Sequence, residues 1–469
     1  MLRKMSLVLL LAVTAAAGAQ AYDEMPMQVV KKGLTAEQHV RQQIELAREL
    51  ARELPQGAME RAVRIPVTAE EVAAIEKSDS RPLKVGLVKA LSPAIGFDRD
   101  QVGPAADGGL VWATVVRADG AGAIRLHVQD LSLPRGASLY VYGRDDQAYG
   151  PYTGFGPNFS GDFWTTAVFG TEAVLQVRLA RAADLGKVSF RVSEAGLITR
   201  KFAGEILDGV KAESSPVRLA TGQFCGQLSC LVDATCFNVA AANPAKLAVA
   251  KMEWPQGAFI FTCTGGLIAD NNPAQSNFFI TANHCLSKNN AAGNVSFYWR
   301  FATPTCNSTS CPSNGGWPFV TTGSTVSATG RKGDWTLLRL NANPPAGSVL
   351  LGWTNAPVAN TNGAQLYRIS NPNFGAQVYS QHNVDTGAGT CAGWPRGERI
   401  YSRDITGAID GGSSGSPILN ASSQVVGQLS GTCGSNPSDA CASGPGEANA
   451  TVDGAFAFYY PTIQPIINP

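Results

Sequence analysis

The sequence predicts a mainly β protein that is exported from the cell and built in two parts. The chain has 469 residues, with 50 glycines and 27 prolines, and only 16% of its residues are charged, below the roughly 25% of typical globular domains. Short apolar runs with a period of two recur along it, which is typical of strands. The ten cysteines all lie at or after position 225. We therefore expect disulfides in the C-terminal half alone.

The overall charge excludes some classes of partner. With 37 basic and 36 acidic residues the formal net charge is +1, so nothing in the charge balance favours nucleic acid or an anionic membrane. The hydrophobic fraction of 44% is enough for folded cores. The length predicts two to three domains.

The first 21 residues have the pattern of a secretory signal peptide. Arg3 and Lys4 are followed by an apolar run over residues 7–17, which is too short to span a bilayer. Ala19-Gln20-Ala21 then forms an A-x-A cleavage site. We expect cleavage after Ala21 and a soluble product that is secreted, outside the cell or through the periplasm.

Residues 22–215 form the first predicted region, which opens with helix and continues as strands. A periodic stretch runs from Thr35 to Leu54, with Gln38 at capping-box spacing, and Thr68 with Glu71 repeats that signature. Four strands then follow at regular spacing, which predicts a β-sandwich-like unit. They cover residues 110–116, 123–128, 138–142 and 173–178. Residues 199–222 read as a linker that is cut during maturation.

Residues 216–469 form the second predicted region, and it carries the candidate chemistry. His284 follows an apolar, strand-like run and stands directly before Cys285, with Cys263 upstream. A disulfide at Cys285 would fix the imidazole at a strand end, as a general base requires.

Two further motifs complete a candidate catalytic set. Asp334 leads a strand with apolar alternate positions, where a carboxylate can hold a histidine tautomer. Ser414 lies in the glycine-rich stretch Asp410–Leu419, where the backbone N–H groups of Gly412 and Ser414 can converge on an oxyanion. The order His, Asp, Ser excludes the α/β-hydrolase arrangement, in which the serine comes first.

These three segments together resemble the chymotrypsin-fold serine endopeptidases, and among them the secreted bacterial lysyl endopeptidases. The similarity covers residues 225–460, through the segments 281–285, 333–338 and 412–417 with 427–429 after them. It implies two six-stranded antiparallel β-barrels, preceded by a pro-region that includes the helical segment and the sandwich. It also implies that Ser414 is the nucleophile, His284 the general base and acid, and Asp334 the orienting carboxylate.

The resemblance also carries expectations about cysteines and partners. It implies the disulfides Cys263–Cys285 and Cys236–Cys306, and it pairs Cys230 with Cys433 or Cys441. The spacing of Cys306 and Cys311 has no matching second pair, so no metal and no cofactor is predicted. The expected partners are protein or peptide substrates and the chain's own pro-region, and the expected state is a monomer.

Two departures from the family leave activation and specificity open. Ser413 stands where the animal enzymes have an aspartate that pairs with the new N-terminus, so we expect folding assistance by the pro-region instead. The resemblance places Gly431 in the family's substrate-pairing segment. Ser430, just before it, replaces a histidine of the lysine-selective enzymes, and Thr451 falls near their acidic position. A preference for Lys or Arg on the acyl side of the cleaved bond (P1) would then need another acid. The candidates are Asp453, which we favour, with Glu447 and Asp410.

Three alternatives remain open at this stage. A neutral pocket at Ser430 and Thr451 would favour small apolar P1 residues. The N-terminal region could stay attached to an active enzyme as a targeting module. The chain could also be an inactive, protease-like binding protein, although the complete triad argues against that interpretation.

Overall fold

The computed structural model describes residues 22–143, 146–203, 228–272, 276–308 and 318–469. Strands dominate these residues, which confirms the mainly β class. The predicted signal peptide, Cys225, Cys311 and most of the predicted linker lie outside the described residues. Within the described ranges, no helix has both the length and the apolar character needed to cross a membrane.

The two predicted helices of the N-terminal region are confirmed. Helix α1 spans Ala36–Arg52 and helix α2 spans Ala69–Glu76, each with a complete capping box, at Thr35 and Thr68. The caps satisfy backbone N–H groups that the first turn of a helix leaves unpaired. The apolar periodicity of this stretch predicted a face of Val40, Ile44, Leu46 and Leu50, and of these only Leu50 is among the fully buried residues, which are Ala36, Gln43, Ala47 and Leu50.

The rest of the N-terminal region consists of short and long strands. They are β1 (Glu24–Met25), β2 (Gln28–Val29), β3 (Val63–Arg64), β4 (Leu83–Gly96), β5 (Gly103–Pro104), β6 (Leu110–Arg117), β7 (Ala121–Ser132), β8 (Ala137–Tyr142), β9 (Ala148–Tyr152), β10 (Phe163–Trp164), β11 (Val168–Phe169), β12 (Glu172–Leu179) and β13 (Ser189–Thr199).

Most of these strands form two sheets packed face to face, in agreement with the predicted sandwich-like unit. One sheet has the order β3-β6-β12-β8-β9, and the other contains β10-β7-β13-β4. All pairs in them are antiparallel except β3 with β6, which is parallel. A shared core of apolar side chains fills the space between the sheets.

The C-terminal region consists of short strands with three helices. The helices are α3 (Asn243–Ala248), α4 (Asn289–Ala292) and α5 (Phe456–Ile467). The strands are β14 (Val232–Asp233), β15 (Val249–Gln256), β16 (Phe259–Leu267), β17 (Phe278–Thr281), β18 (Ser296–Trp299), β19 (Phe319–Thr322), β20 (Ser324–Gly330), β21 (Trp335–Leu340), β22 (Val349–Leu350), β23 (Trp353–Thr354), β24 (Gln365–Ser370), β25 (Val378–Val384), β26 (Arg399–Thr406), β27 (Pro417–Leu419), β28 (Val425–Gly434) and β29 (Asn449–Ala455).

Most of these strands lie in two antiparallel arrays. The second array closes on itself in the order β24-β25-β26-β29-β28-β27, so it is a six-stranded barrel. The first runs β18-β15-β16-β17-β21-β20, with β19 paired to the outer edge of β18. Only Gly323, with φ of +78°, separates β19 from β20. The two therefore act as one bent strand that joins both ends of the array.

The N-terminal region is joined to the C-terminal region by strand pairing and by buried charges, which the sequence did not predict. Strand β4 pairs with β16, so a sandwich sheet continues into the first array. Strands β1 and β2 pair with β23 and β22. Arg125 of the N-terminal region forms an ion pair of 2.9 Å with Glu253 of β15, and both side chains are fully buried.

Candidate active site

His284 and Asp334 are brought together by the pairing of two strands. His284 lies just after β17 and Asp334 just before β21, and these strands are antiparallel neighbours with Thr281 opposite Thr336. The end of one therefore meets the start of the other. Asp334 Oδ2 lies 2.8 Å from His284 Nδ1, and Asp334 Oδ1 accepts a hydrogen bond of 2.9 Å from the His284 backbone N–H. Two contacts to one carboxylate fix both the position and the tautomer of the imidazole, leaving Nε2 as the basic atom.

The backbone of Asp334 is itself held in place. Its φ is +51°, in the left-handed region, and Gln428 Nε2 donates hydrogen bonds of 3.0 Å to the carbonyls of Gly333 and Asp334. Tyr459 then donates to Gln428 Oε1 at 2.6 Å. Because Gln428 and Tyr459 are both hydrogen-bonded, they hold the backbone of Asp334 in one position, and with it the carboxylate.

Ser414 lies on a tight turn that packs against the histidine segment. The Ser414 carbonyl accepts a bond of 2.9 Å from Thr264 N, and Gly415 N donates to the Leu429 carbonyl at 2.8 Å. A Cβ atom at Gly415 would lie 2.2 Å from Thr281 Oγ1, so only glycine permits this approach. No hydrogen bond joins Ser414 Oγ to His284 Nε2 among the described residues, a looseness common in enzymes without substrate.

Two backbone N–H groups beside Ser414 have no protein acceptor within the described part of the chain: those of Gly412 and Ser414. The Gly411 carbonyl accepts a bond of 2.6 Å from Asn373 N. Because C=O and N–H point in opposite directions in a trans peptide, this contact turns the Gly412 N–H away from Asn373. Gly412 adopts φ of +92°, which suits glycine. The geometry leaves two donors available for an anionic oxygen.

A cavity of about 170 Å³ adjoins Ser414 and is lined by both regions of the chain. The barrel side is formed by the turn before Ser414 and by strand β28. The other side is formed by residues 78–81 and Leu83 of the N-terminal region. Arg81 donates from Nη2 to Thr432 Oγ1 at 2.9 Å and to the Pro437 carbonyl at 3.2 Å. A segment of the N-terminal region therefore occupies one side of the cleft that contains the candidate nucleophile.

The residues predicted for the specificity pocket have different surroundings. Gly431 lines the cavity. Ser430 is buried and accepts a bond of 3.1 Å from Arg399. Burial lowers the pKa of the Arg399 guanidinium, and the nearby charge of Asp334 partly opposes that shift. Asp453 is fully buried and forms an ion pair of 2.5 Å with Arg368, so its charge is already balanced.

Four disulfides join described cysteines. Cys263 pairs with Cys285 and Cys236 with Cys306, the two pairs that the resemblance implies. Of the two alternatives for Cys230, the structure has Cys441, and Cys433 pairs with Cys391.

The Cys263–Cys285 bridge lies against the candidate histidine. Cys285 Sγ is 3.7 Å from His284 Nε2 and 3.7 Å from the Ser414 carbonyl oxygen. The Sγ atoms of Cys263 and Cys285 and a ring nitrogen of His284 lie within 4.8 Å of one another. Both sulfurs belong to the disulfide, so neither offers the thiolate that binds metal.

Sequence reasoning missed three residues that shape this site. Asn373 holds the Gly411 carbonyl, Gln428 holds the aspartate segment, and Arg81 reaches into the cleft. Arg81 is far from Ser414 in the sequence, and no local pattern could have connected them. Gln428 belongs to segment 427–429, one of those that carry the family resemblance, but only the fold shows that its amide faces the backbone of Asp334.

Comparison with known proteins agrees with the fold and the motifs. Residues 226–443 match the family model "Lysyl endopeptidase, C-terminal domain", and residues 56–196 match "Lysyl endopeptidase N-terminal domain". The lysyl endopeptidase of Pseudomonas aeruginosa is 27% identical over 369 residues, which is 76% of each chain.

Solved structures give weaker likenesses. The HtrA-type protease AlgW with a tripeptide has a TM-score of 0.32 at 14% identity, over 49% of this chain and 62% of its own. The Rv3671c protease from M. tuberculosis, in its active form, has a TM-score of 0.32 at 16% identity, over 54% of this chain and 94% of its own.

The closed barrel and the two family matches together define a protease of the chymotrypsin fold. Within that class the chain resembles the lysyl endopeptidases, over both its N-terminal and its C-terminal region. The resemblance predicted from the three sequence motifs is thereby confirmed.

Proposed function

We propose that this protein is a secreted serine endopeptidase that works through an acyl-enzyme, with Ser414 as nucleophile, His284 as general base and acid, and Asp334 as orienting carboxylate. The observation that carries the proposal is the pairing of both Asp334 oxygens with His284, beside a serine turn with two unpaired N–H groups among the described residues. That combination provides a base of fixed tautomer, a nucleophile and donors for an oxyanion.

The reaction divides into two similar halves. Ser414 Oγ adds to the substrate carbonyl carbon while its proton passes to His284 Nε2, and the oxyanion accepts hydrogen bonds from Gly412 and Ser414 N–H. The C–N bond then breaks, and His284 gives its proton to the leaving amine. Water then adds to the acyl carbon while its proton passes to His284 Nε2, and the second tetrahedral species releases the acid as Ser414 Oγ leaves and takes that proton back.

The protein is also proposed to be made as a zymogen, with residues 22–215 as pro-region and residues 216–469 as the protease. Residues 78–81 line the cavity beside Ser414, and β4 runs alongside β16 at the same cleft. A substrate peptide would need the space that this segment fills. Removal of the N-terminal region, by cleavage within 211–224, would open the cleft.

The hydrolysis claim is tested with the processed protein and a fluorogenic peptide or casein. We expect activity that a serine-directed inhibitor abolishes and that Ser414→Ala lacks, while Ser422→Ala, at an exposed position, retains it. Absence of hydrolysis by the processed wild-type protein would favour the binding-protein alternative.

The zymogen claim is tested on the intact chain. N-terminal sequencing of the secreted protein gives the cleavage site, and the labelling rate of uncleaved protein by a serine-directed phosphonate reports access to Ser414. We expect Arg81→Ala to label faster than wild type, and Arg135→Ala, at an exposed N-terminal position, to match wild type. Equal rates in the uncleaved and processed proteins would contradict occlusion and favour an attached targeting module.

A further inference from the structure

We take the cavity beside Ser414 as the primary specificity pocket, and among the described residues its lining includes two acids, Asp79 and Asp410. Asp79 belongs to the N-terminal region, so the processed protease would lack it. Of the acids considered from sequence, Asp453 is paired with Arg368 and does not line the cavity. Asp410 lines it, but its carboxylate accepts bonds of 2.7 Å from Gly411 N and 2.8 Å from Asn373 Nδ2. Glu447 is exposed and accepts a bond of 2.7 Å from Gly444 N. A buried ammonium or guanidinium needs an opposite charge.

The contacts of Arg81 show what a basic side chain meets in this pocket. Its guanidinium reaches into the cavity beside Ser414, yet its hydrogen bonds go to neutral oxygens, the hydroxyl of Thr432 and the carbonyl of Pro437. No ion pair of the described residues includes Arg81. A basic side chain therefore meets no described carboxylate at ion-pair distance there.

Two threonines at the cavity are neighbours in the sheet. Thr432 of β28 and Thr451 of β29 are direct cross-strand partners, so their branched side chains lie on the same face of the sheet. Thr432 lines the cavity, whereas Thr451 is fully buried and does not. Thr451 thus adjoins Thr432 on a side that the cavity does not reach.

An acid that the proposed mechanism does not use is hydrogen-bonded to the buried threonine of this pair. Thr451 Oγ1 donates to Asp404 Oδ1 at 2.7 Å, and His382 Nδ1 lies 2.8 Å from the same oxygen. The Asp404 side chain is only 6% exposed, and its Oδ2 has no hydrogen-bond partner among the described residues. His382 is further held by Ser380 at 2.8 Å. The carboxylate is thus close to the pocket but is covered by Thr451.

We propose that Thr432 and Thr451 close the specificity pocket above Asp404, so that this protease cleaves after small, uncharged residues and not after Lys or Arg. The inference rests on the endopeptidase function proposed above. A short P1 side chain such as Ala or Val fills a shallow pocket without losing hydration of a charge. A Lys or Arg side chain would have to bury its charge against two hydroxyl-bearing, β-branched side chains.

The first experiment measures kcat/KM of the processed protein on peptides that differ only at P1, with Ala, Val, Lys and Arg. We expect Ala or Val to exceed Lys and Arg by at least about tenfold, the scale on which pocket shape discriminates. A preference for Lys or Arg would overturn the inference. Hydrolysis of none of the peptides would instead refute the endopeptidase proposal.

The second experiment removes the threonine cover. In Thr432→Gly/Thr451→Gly we expect the Arg-to-Ala ratio of kcat/KM to rise at least about tenfold, and Asp404→Asn in that background to cancel the rise. Thr325→Gly, at an exposed position of β20, controls for loss of a strand threonine and should leave the ratio unchanged. A folded double variant with an unchanged ratio would contradict the role of the threonines. If the double variant does not fold, the wild-type P1 series still decides.

Discussion

Replacement of Arg125 should strongly destabilise the intact protein, because this residue joins the N-terminal region to the first array of the C-terminal region. Arg125 Nη1 lies 2.9 Å from Glu253 Oε1, and both side chains are 0% exposed. Arg125 also donates to the carbonyls of Thr165 at 2.6 Å and Asn294 at 2.9 Å. Arg125→Met keeps most of the side-chain volume but leaves the Glu253 charge buried without its partner. Breaking a buried pair in this way costs about 3–5 kcal/mol.

The assay is denaturant unfolding of the intact chain in a Ser414→Ala background, which prevents self-cleavage during the measurement. The matched control is Arg48→Met, whose pair with Asp146 has side chains 62% and 41% exposed. An exposed pair contributes about 0–1 kcal/mol. Adding Glu253→Gln to Arg125→Met should recover part of the loss, because it removes the unpaired charge. Equal losses for Arg125→Met and Arg48→Met would refute the reasoning.

Three further predictions concern the site and its framework. Asp334→Asn should lower kcat by about 10⁴-fold with the fold intact, as expected when the tautomer of the base is no longer fixed; near-normal peptide hydrolysis would contradict it. Burial lowers the pKa of His39, in α1, from 6.5 to about 4. The free energy of unfolding is therefore unaffected by this group above about pH 6.5 and falls as the pH drops toward 4, by at most about 3 kcal/mol. Urea unfolding of His39→Phe should lack this loss, and the same fall of the free energy of unfolding with pH in the variant would oppose the prediction. Replacing Cys263 and Cys285 by alanine should remove about 3 kcal/mol and most peptidase activity, and a variant with normal stability and activity would argue against the role of the bridge.

The sequence was most informative where a local pattern determines local structure. The capping boxes at Thr35 and Thr68 predicted where both N-terminal helices begin. Strand alternation predicted β6 and β12 to within a residue or two. Here the deciding interactions, a cap contact or an alternating face, lie within a few positions in the chain.

Contacts between distant segments were out of reach of the same reasoning. Nothing near Arg81 indicates that it meets Thr432, and nothing near Asp404 indicates that Thr451 covers it. Asp453 was favoured for the pocket because it precedes residues 455–458, an apolar run that resembles a strand, whereas the structure has Asp453 inside β29 and helix α5 directly after that strand. Its ion pair with Arg368, contributed by β24, depends on the closure of the second barrel. Specificity depends on such tertiary contacts, and a resemblance to a family does not determine them.

The most direct test of the central claim is to find which atom of the protein is acylated. The processed protein is treated with a serine-directed phosphonate, and the modified peptide is identified by mass spectrometry. We predict a single adduct on Ser414, complete loss of peptide hydrolysis in the labelled protein, and in Ser414→Ala no adduct and a kcat lower by about 10⁶-fold. An adduct on another residue, or hydrolysis by Ser414→Ala at the wild-type rate, would contradict the assignment of the nucleophile.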